Sequence, residues 1–219
     1  MIFDERKRKI FTRGCGGEGG GALRGRFWSG KGQQHHQLSI YSALELTKSF
    51  LPDDAICLVS LTTEDLYESE PDLFVAGMAA GNQRVAVFSL FRYSPTLTFS
   101  PELWYDVTAP EVGADEISAE KSRCVLLQRG CRLLVHEISH LLGMDHCVFF
   151  DCCMNGSGHL EEDFRQSMHL CPVDLRKLHT LIGFDVCARY EKLQTFYAQH
   201  NMKPEAEWVR NRLSKIQDD

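Results

Sequence analysis

Five residues stand at a spacing that can do chemistry together: His136, Glu137, His140, Gly143 and His146, in the order H-E-x-x-H-x-x-G-x-x-H, with Met154 a little further on. On a helix, His136 and His140 lie on one face with Cβ atoms about 5–6 Å apart, so both imidazoles can reach one ion. Glu137 points aside from that seam, where a general base can address water rather than occupy a coordination position. Gly143 ends the helix, because glycine takes the left-handed conformation without a Cβ penalty, and the reversed chain returns His146 as a third ligand. Three nitrogen ligands and an open fourth position suit a catalytic zinc. Zinc lowers the pKa of water there to about 7 and polarises a carbonyl, so the expected chemistry is hydrolysis of an amide. A single histidine on an apolar face is more often a packed core residue; five specified positions are not explained that way. Met154, followed by Asn155-Gly156-Ser157-Gly158, is expected in a tight turn beneath the metal.

Past His146 the chain reads H-C-x4-C-C-M, with Cys147, Cys152, Cys153 and Met154, and then Cys171-Pro172-Val173-Asp174. These residues resemble the archaemetzincins, a metzincin family that appends C-x4-C-x-M and a later C-x-x-C to the long histidine motif. The motif-bearing likeness covers residues 136–174, and a looser one in element order runs from about 38 to 200. The resemblance implies His136, His140 and His146 as catalytic-zinc ligands, Glu137 as base and Met154 in the turn. It also implies a second, structural zinc on Cys147, Cys152 and Cys171. Where the family has the last cysteine, this chain has Asp174. A carboxylate can ligate zinc, so Asp174 is one candidate for the fourth ligand; Cys153, His159 or His169 are others. Alternatively Asp174 serves only the first turn of a helix beginning at Pro172.

The elements that must position these residues follow from periodicity and breakers. Ile40, Leu44 and Leu51 mark a helix over 38–51, closed by Pro52. Short apolar runs at 55–61, 73–79 and 84–91 read as strands, the first and third buried, with Gly81-Asn82 turning the last two into a hairpin. Residues 93–113, with Pro95, Pro101 and Pro110, read as loop. From about Ile117 a helical pattern runs into the metal motif, and three more helices are expected near 172–182, 185–200 and 204–216. The fold class is therefore α/β or α+β: a twisted mixed sheet backed by a long metal-binding helix, with a mostly helical C-terminal part. By the same resemblance, residues 73–80 would be an edge strand that pairs with extended substrate.

Residues 1–34, rich in glycine from Gly14 to Gly32, read as a flexible lead-in, and 35–219 as one domain. At 219 residues, 43% hydrophobic and 25% charged, the chain can bury a real core. A net charge of −6 offers no basic footprint for nucleic acid or an anionic membrane. No run approaches the ~18–20 apolar residues of a membrane span. Nine cysteines, an odd number behind no apolar leader, suit reduced thiols in the cytoplasm or nucleus. Cys15, Cys57, Cys124, Cys131 and Cys187 are expected as buried small hydrophobes. Glu161-Glu162-Asp163 reads as a solvated loop; a donor for a tetrahedral oxyanion is required, with Tyr190 and His159 candidates by residue type alone.

The expected function is a zinc peptidase acting on peptide substrates, and the resemblance implies an aminopeptidase on small peptides. The alternative is a zinc-stabilised binding or scaffold protein with little turnover, which would have no chemical need for Glu137.

Overall fold

Val85, Ala86, Val87, Phe88 and Ser89 are each at most 2% exposed, and this buried run is strand β6 (Val85–Ser89). In a computed structural model, which describes residues 23–30, 33–70, 72–99, 107–108 and 118–217, β6 lies between two others. Strand β3 (Leu58–Thr62) runs parallel to it and β5 (Gly77–Ala80) antiparallel, giving the order β3-β6-β5. The expected hairpin is present: a 3-10 turn at Gly81–Gln83 closes on Arg84, whose φ of 60° is left-handed. The first strand starts later than its apolar run, and it is an edge rather than a buried strand, with Leu61 48% exposed. Apolar content alone does not tell a central strand from an edge that is covered on one side.

A second sheet joins β1 (Gly25–Gly30), β2 (Gln33–Ser39) and β4 (Asp65–Tyr67) in the order β1-β2-β4. Residues 25–30 and 33–34, expected in a flexible lead-in, are thus a ladder with Gly25 opposite Leu38 and Gly30 opposite Gln33. Residues 1–22 lie outside the described residues. A short ladder of β7 (Thr98–Phe99) and β8 (Val107–Thr108) occupies the stretch read as loop. The class is mixed α and β as expected, but the single twisted sheet is divided into three small ones among the described residues.

Helix α1 (Ile40–Ser49) buries Ile40, Ala43, Leu44 and Thr47, the i, i+3, i+4, i+7 stripe that lays a helix on a sheet. It meets Leu66, Val85 and Val87 in one core cluster. Across the sheet, Ala86 and Phe88 pack with Leu133 of α2 (Ala119–Leu141), so α2 crosses behind β6. Its Ser118 hydroxyl caps the first turn by accepting from Lys121 N at 3.2 Å. At about 1.5 Å per residue α2 is roughly 35 Å long, and only its last two turns carry the metal motif.

A polar network ties the sheets together. Arg92, in a 3-10 turn at Phe91–Tyr93, donates to both oxygens of Asp65 at 2.9 and 2.8 Å, and Gln37 Nε2 donates to the same carboxylate at 2.7 Å. Arg92 also lies over the Phe74 ring at 3.9 Å.

After Met154 come α3 (Leu160–Arg165), α4 (Pro172–Ile182), α5 (Val186–Gln199) and α6 (Lys203–Gln217). The last three fall where the periodicity placed them; α3 replaces the expected solvated loop. Tyr190, Tyr197, Met202, Val209 and Leu213 of this helical part share one core with Met144, Cys152, Cys153, Met154 and Cys171. No described helix is long and apolar enough to cross a membrane. Cys57, Cys124, Cys131 and Cys187 are half-buried rather than buried, and Cys15 lies outside the described residues.

Candidate active site

Helix α2 ends as its sequence dictates. Gly143 stands just beyond the helix at φ 82°, its N–H donating to His140 O at 2.9 Å, while Met144 N donates back to Ser139 O at 3.0 Å. Gly143→Ala is expected to lower stability by about 1 kcal/mol, seen in a denaturant melt. No atom lies within 4 Å of the added Cβ, so the cost comes from backbone conformation alone.

The reversed chain brings His146 to His136 and His140, with ring centroids 5.3 and 4.8 Å away. The three imidazoles each offer a nitrogen, all within 4.8 Å of one another. Proton positions follow from their partners. His136 Nδ1 lies 2.8 Å from Cys153 O and His140 Nδ1 lies 2.7 Å from Met144 O. A carbonyl only accepts, so each Nδ1 carries the hydrogen and each Nε2 presents a bare lone pair. The two Nε2 atoms face each other at 3.0 Å. Tetrahedral zinc with Zn–N bonds of about 2.0–2.1 Å separates its nitrogens by about 3.3 Å, so the pair fits such an ion. Burial lowers the pKa of His136, and burial followed by the His140 imidazole lowers that of His146, which favours the neutral form that can ligate. Gly156 backs His146: a Cβ there would come within 3.1 Å of its Nδ1.

Glu137 is pushed up to about 7 by burial and then by the Asp163 carboxylate. A cation on the histidines would act in the opposite direction. Among the described residues its carboxylate accepts no hydrogen bond, which leaves both oxygens available to water and substrate.

The second group also comes together. Cys152 Sγ and Cys171 Sγ lie 3.3 and 3.6 Å from Asp174 Oδ2, and Cys147 Sγ lies 3.9 Å from Cys171 Sγ. Around a tetrahedral zinc, bonds of about 2.3 Å to sulfur and about 2.0 Å to oxygen give S–S edges of about 3.8 Å and S–O edges of about 3.5 Å, close to these separations. Cys152, Cys171 and Asp174 are buried and Cys147 half-buried. Burial pushes the Cys152 and Cys171 thiols up. Burial also pushes the Asp174 carboxyl up, but the Lys177 ammonium at 2.8 Å from Oδ1 outweighs it and the net shift is down. Asp174 thus aims one oxygen at the sulfurs and gives the other to Lys177. The other candidates face elsewhere: Cys153 donates to Arg132 O, His159 caps α3, and His169 stacks on Trp208 at 3.7 Å.

Met154 is fully buried, in the core with Met144 and Cys153. Neither residue-type candidate for the oxyanion donor is confirmed by position: Tyr190 is buried beside Trp208, at 6.1 Å, in the helical part. Missed by the sequence reading was Tyr93, which donates its phenol to Asp163 Oδ2. Arg132, one turn before His136, grips the same helix by donating to Asp163 O and Phe164 O at 3.0 and 2.9 Å. An arginine on the core face of α2 was the available signal for this contact; nothing in its own segment marks Tyr93.

The model of peptidase family M54 matches residues 105–180, a span that includes both ligand groups. Archaemetzincin-2 of Mus musculus is 36% identical over 167 residues, which cover 73% of this chain and 46% of that protein. Archaemetzincin-1 of Homo sapiens is 32% identical over 173 residues, covering 73% and 34%. The chain spans about half the length of the archaemetzincin-2 relatives it matches. Among solved structures, archaemetzincin of Methanopyrus kandleri is similar at 26% identity and a TM-score of 0.47, over 68% of this chain and 67% of that one. A zinc-dependent peptidase from Methanocorpusculum labreanum is similar at 23% and 0.45, over 64% and 71%. With the histidine and cysteine ligand groups both inside the matched span, the chain belongs to the archaemetzincins, peptidase family M54.

Proposed function

We propose that this chain is a zinc-dependent peptidase whose base is Glu137. The observation that carries the reading is the pair of bare Nε2 lone pairs of His136 and His140, 3.0 Å apart with each Nδ1–H already given to a carbonyl. Two Nε2 atoms held face to face suit a shared cation, and His146 adds a third donor to the group. Zinc held there supplies Lewis acidity, bringing water to a pKa of about 7 and polarising a carbonyl.

The chain's own residues then supply proton transfer and placement. A Glu137 carboxylate oxygen takes the proton of the attacking water and returns it to the nitrogen of the leaving amine, so one group acts as base and then acid. Burial and the Asp163 carboxylate raise its affinity for a proton, and a cation on the histidines would offset part of that rise. Strand β5 is at the edge of its sheet, and Gly81 at its end stands over the metal helix, where a Cβ would lie 4.0 Å from His140 O. An extended peptide added to that edge would pass across the histidines. The family resemblance supports the finer reading, an aminopeptidase acting on small peptides. A digest of free and N-acetylated peptides tests it: cleavage of both at equal rates rejects aminopeptidase action and leaves the peptidase.

Removing a ligand tests the metal directly. His140→Ala is expected to lose the histidine-bound zinc, read as one zinc fewer per chain by native mass spectrometry, with hydrolysis abolished. An unchanged zinc count would remove His140 from the ligand set.

A further inference from the structure

The two ligand groups share one short segment of backbone. Cys147 follows His146 in the chain, and its N–H donates to Met154 O at 2.8 Å. Met154 N–H in turn points at Cys152 Sγ, 3.4 Å away. The next residue, Cys153, places its carbonyl 2.8 Å from His136 Nδ1, and Cys153 N–H donates to His169 O, two residues before Cys171. Two of the three histidines are therefore held by backbone whose neighbouring side chains belong to the cysteine group.

Cys152, Cys153 and Met154 are buried in the core, and the exposed stretch before them is the loosely held part of the segment. Residues 144–159 contain no helix or strand, and Val148, Phe149 and Phe150 are 77, 86 and 48% exposed. Between the two groups its shape rests on Asn155, which donates to Cys147 O and Phe150 O at 2.7 and 2.8 Å and accepts from Cys152 N at 2.9 Å. Fixing each residue of such a loop has an entropic cost. Whichever site is filled first bears most of that cost, and the second site then finds its backbone in place.

We propose that a metal on Cys147, Cys152, Cys171 and Asp174 is energetically coupled to one on the histidines through residues 146–154, so that zinc at either site raises the affinity of the other. The proposal rests on the reading of both groups as metal sites. Its coupling is thermodynamic and therefore reciprocal: the factor by which the cysteine site strengthens the histidine site equals the factor in the other direction. Lys177, 2.8 Å from Asp174 Oδ1, offsets part of the negative charge that three thiolates and a carboxylate would bring.

The test compares wild type, Cys171→Ala and His140→Ala as full chains. Zinc per chain is read by native mass spectrometry and affinity by competition with a chelator. Cobalt(II) in place of zinc marks the cysteine site through its thiolate charge-transfer absorption. Cys171→Ala is expected to lose the cysteine-site ion and to weaken the histidine-site ion by about 10–100-fold, the size of effect usual when support of a metal ligand is removed. His140→Ala, whose cysteine group is intact, is expected to weaken cobalt at the cysteine site by the same factor. If Cys171→Ala does not fold, the His140→Ala arm decides by itself. Unchanged cysteine-site affinity in His140→Ala would overturn the coupling while leaving two independent sites. A wild type holding a single zinc on its histidines would overturn the cysteine site with the coupling and leave the peptidase reading intact; a wild type with no histidine-bound zinc would overturn that reading too.

Discussion

Replacing Glu137 with alanine is expected to lower peptide hydrolysis by about 10²–10⁴-fold while zinc per chain stays at the wild-type value. The separation of the two readouts follows from geometry. His136, His140 and His146 make up the histidine ligand group, and Glu137 is outside it. Its carboxylate accepts no hydrogen bond among the described residues, so truncation breaks no hydrogen bond and should leave the melting temperature nearly unchanged. Removing a buried carboxyl would slightly favour the fold if anything. Glu137→Gln keeps the shape without the proton acceptor and should be as inactive. Undiminished turnover in either variant would rule out Glu137 as the base, and loss of zinc would instead make it part of the metal's support.

The largest expected effect on stability is at Asp65. Its side chain is 1% exposed and its two oxygens take both the Arg92 guanidinium and the Gln37 amide, joining the β1-β2-β4 sheet to the turn that carries Tyr93. Asp65→Ala leaves a guanidinium buried without its carboxylate, a loss of about 3–5 kcal/mol. For a chain of this size that is a fall of roughly 6–20 °C in melting temperature. The penalty belongs to the orphaned charge rather than to the pair. Replacing both partners with apolar residues, as in Asp65→Leu with Arg92→Met, should recover much of it. A shift equivalent to less than about 1 kcal/mol in the single variant would mean that water or another acceptor reaches Arg92.

How much was legible in the sequence differs from residue to residue. The long helix, its stop at Gly143 and the return of His146 were readable because each depends on local conformation: a 3.6-residue repeat, a residue that tolerates positive φ, a fixed spacing of ligands. Helices α4, α5 and α6 were readable for the same reason, and α4 by its Pro172 start. The short α3 was not, because Glu161-Glu162-Asp163 has no apolar stripe. What holds it is distant: Tyr93 at Asp163 and Arg132 at two backbone carbonyls. The glycine-rich stretch misled for a related reason: its glycines mask the short strand signal of Phe27 and Trp28, and β1 is ordered by pairing with β2.

The donor residues of the histidine group, and their order along the chain, were determined by the sequence, because a helix and a tight turn set their spacing without help from the rest of the chain. The fourth member of the cysteine group was decided only by tertiary structure. Along the chain Asp174 is equally well a first-turn acid at a helix N-terminus or a ligand. Packing α4 against the Met154 segment turns one of its oxygens to Cys152 and Cys171, while Lys177 holds the other. The partition of the strands into separate sheets and the contact between α2 and α3 were likewise settled by long-range burial, whose free energy depends on which surfaces meet and is invisible to any local window.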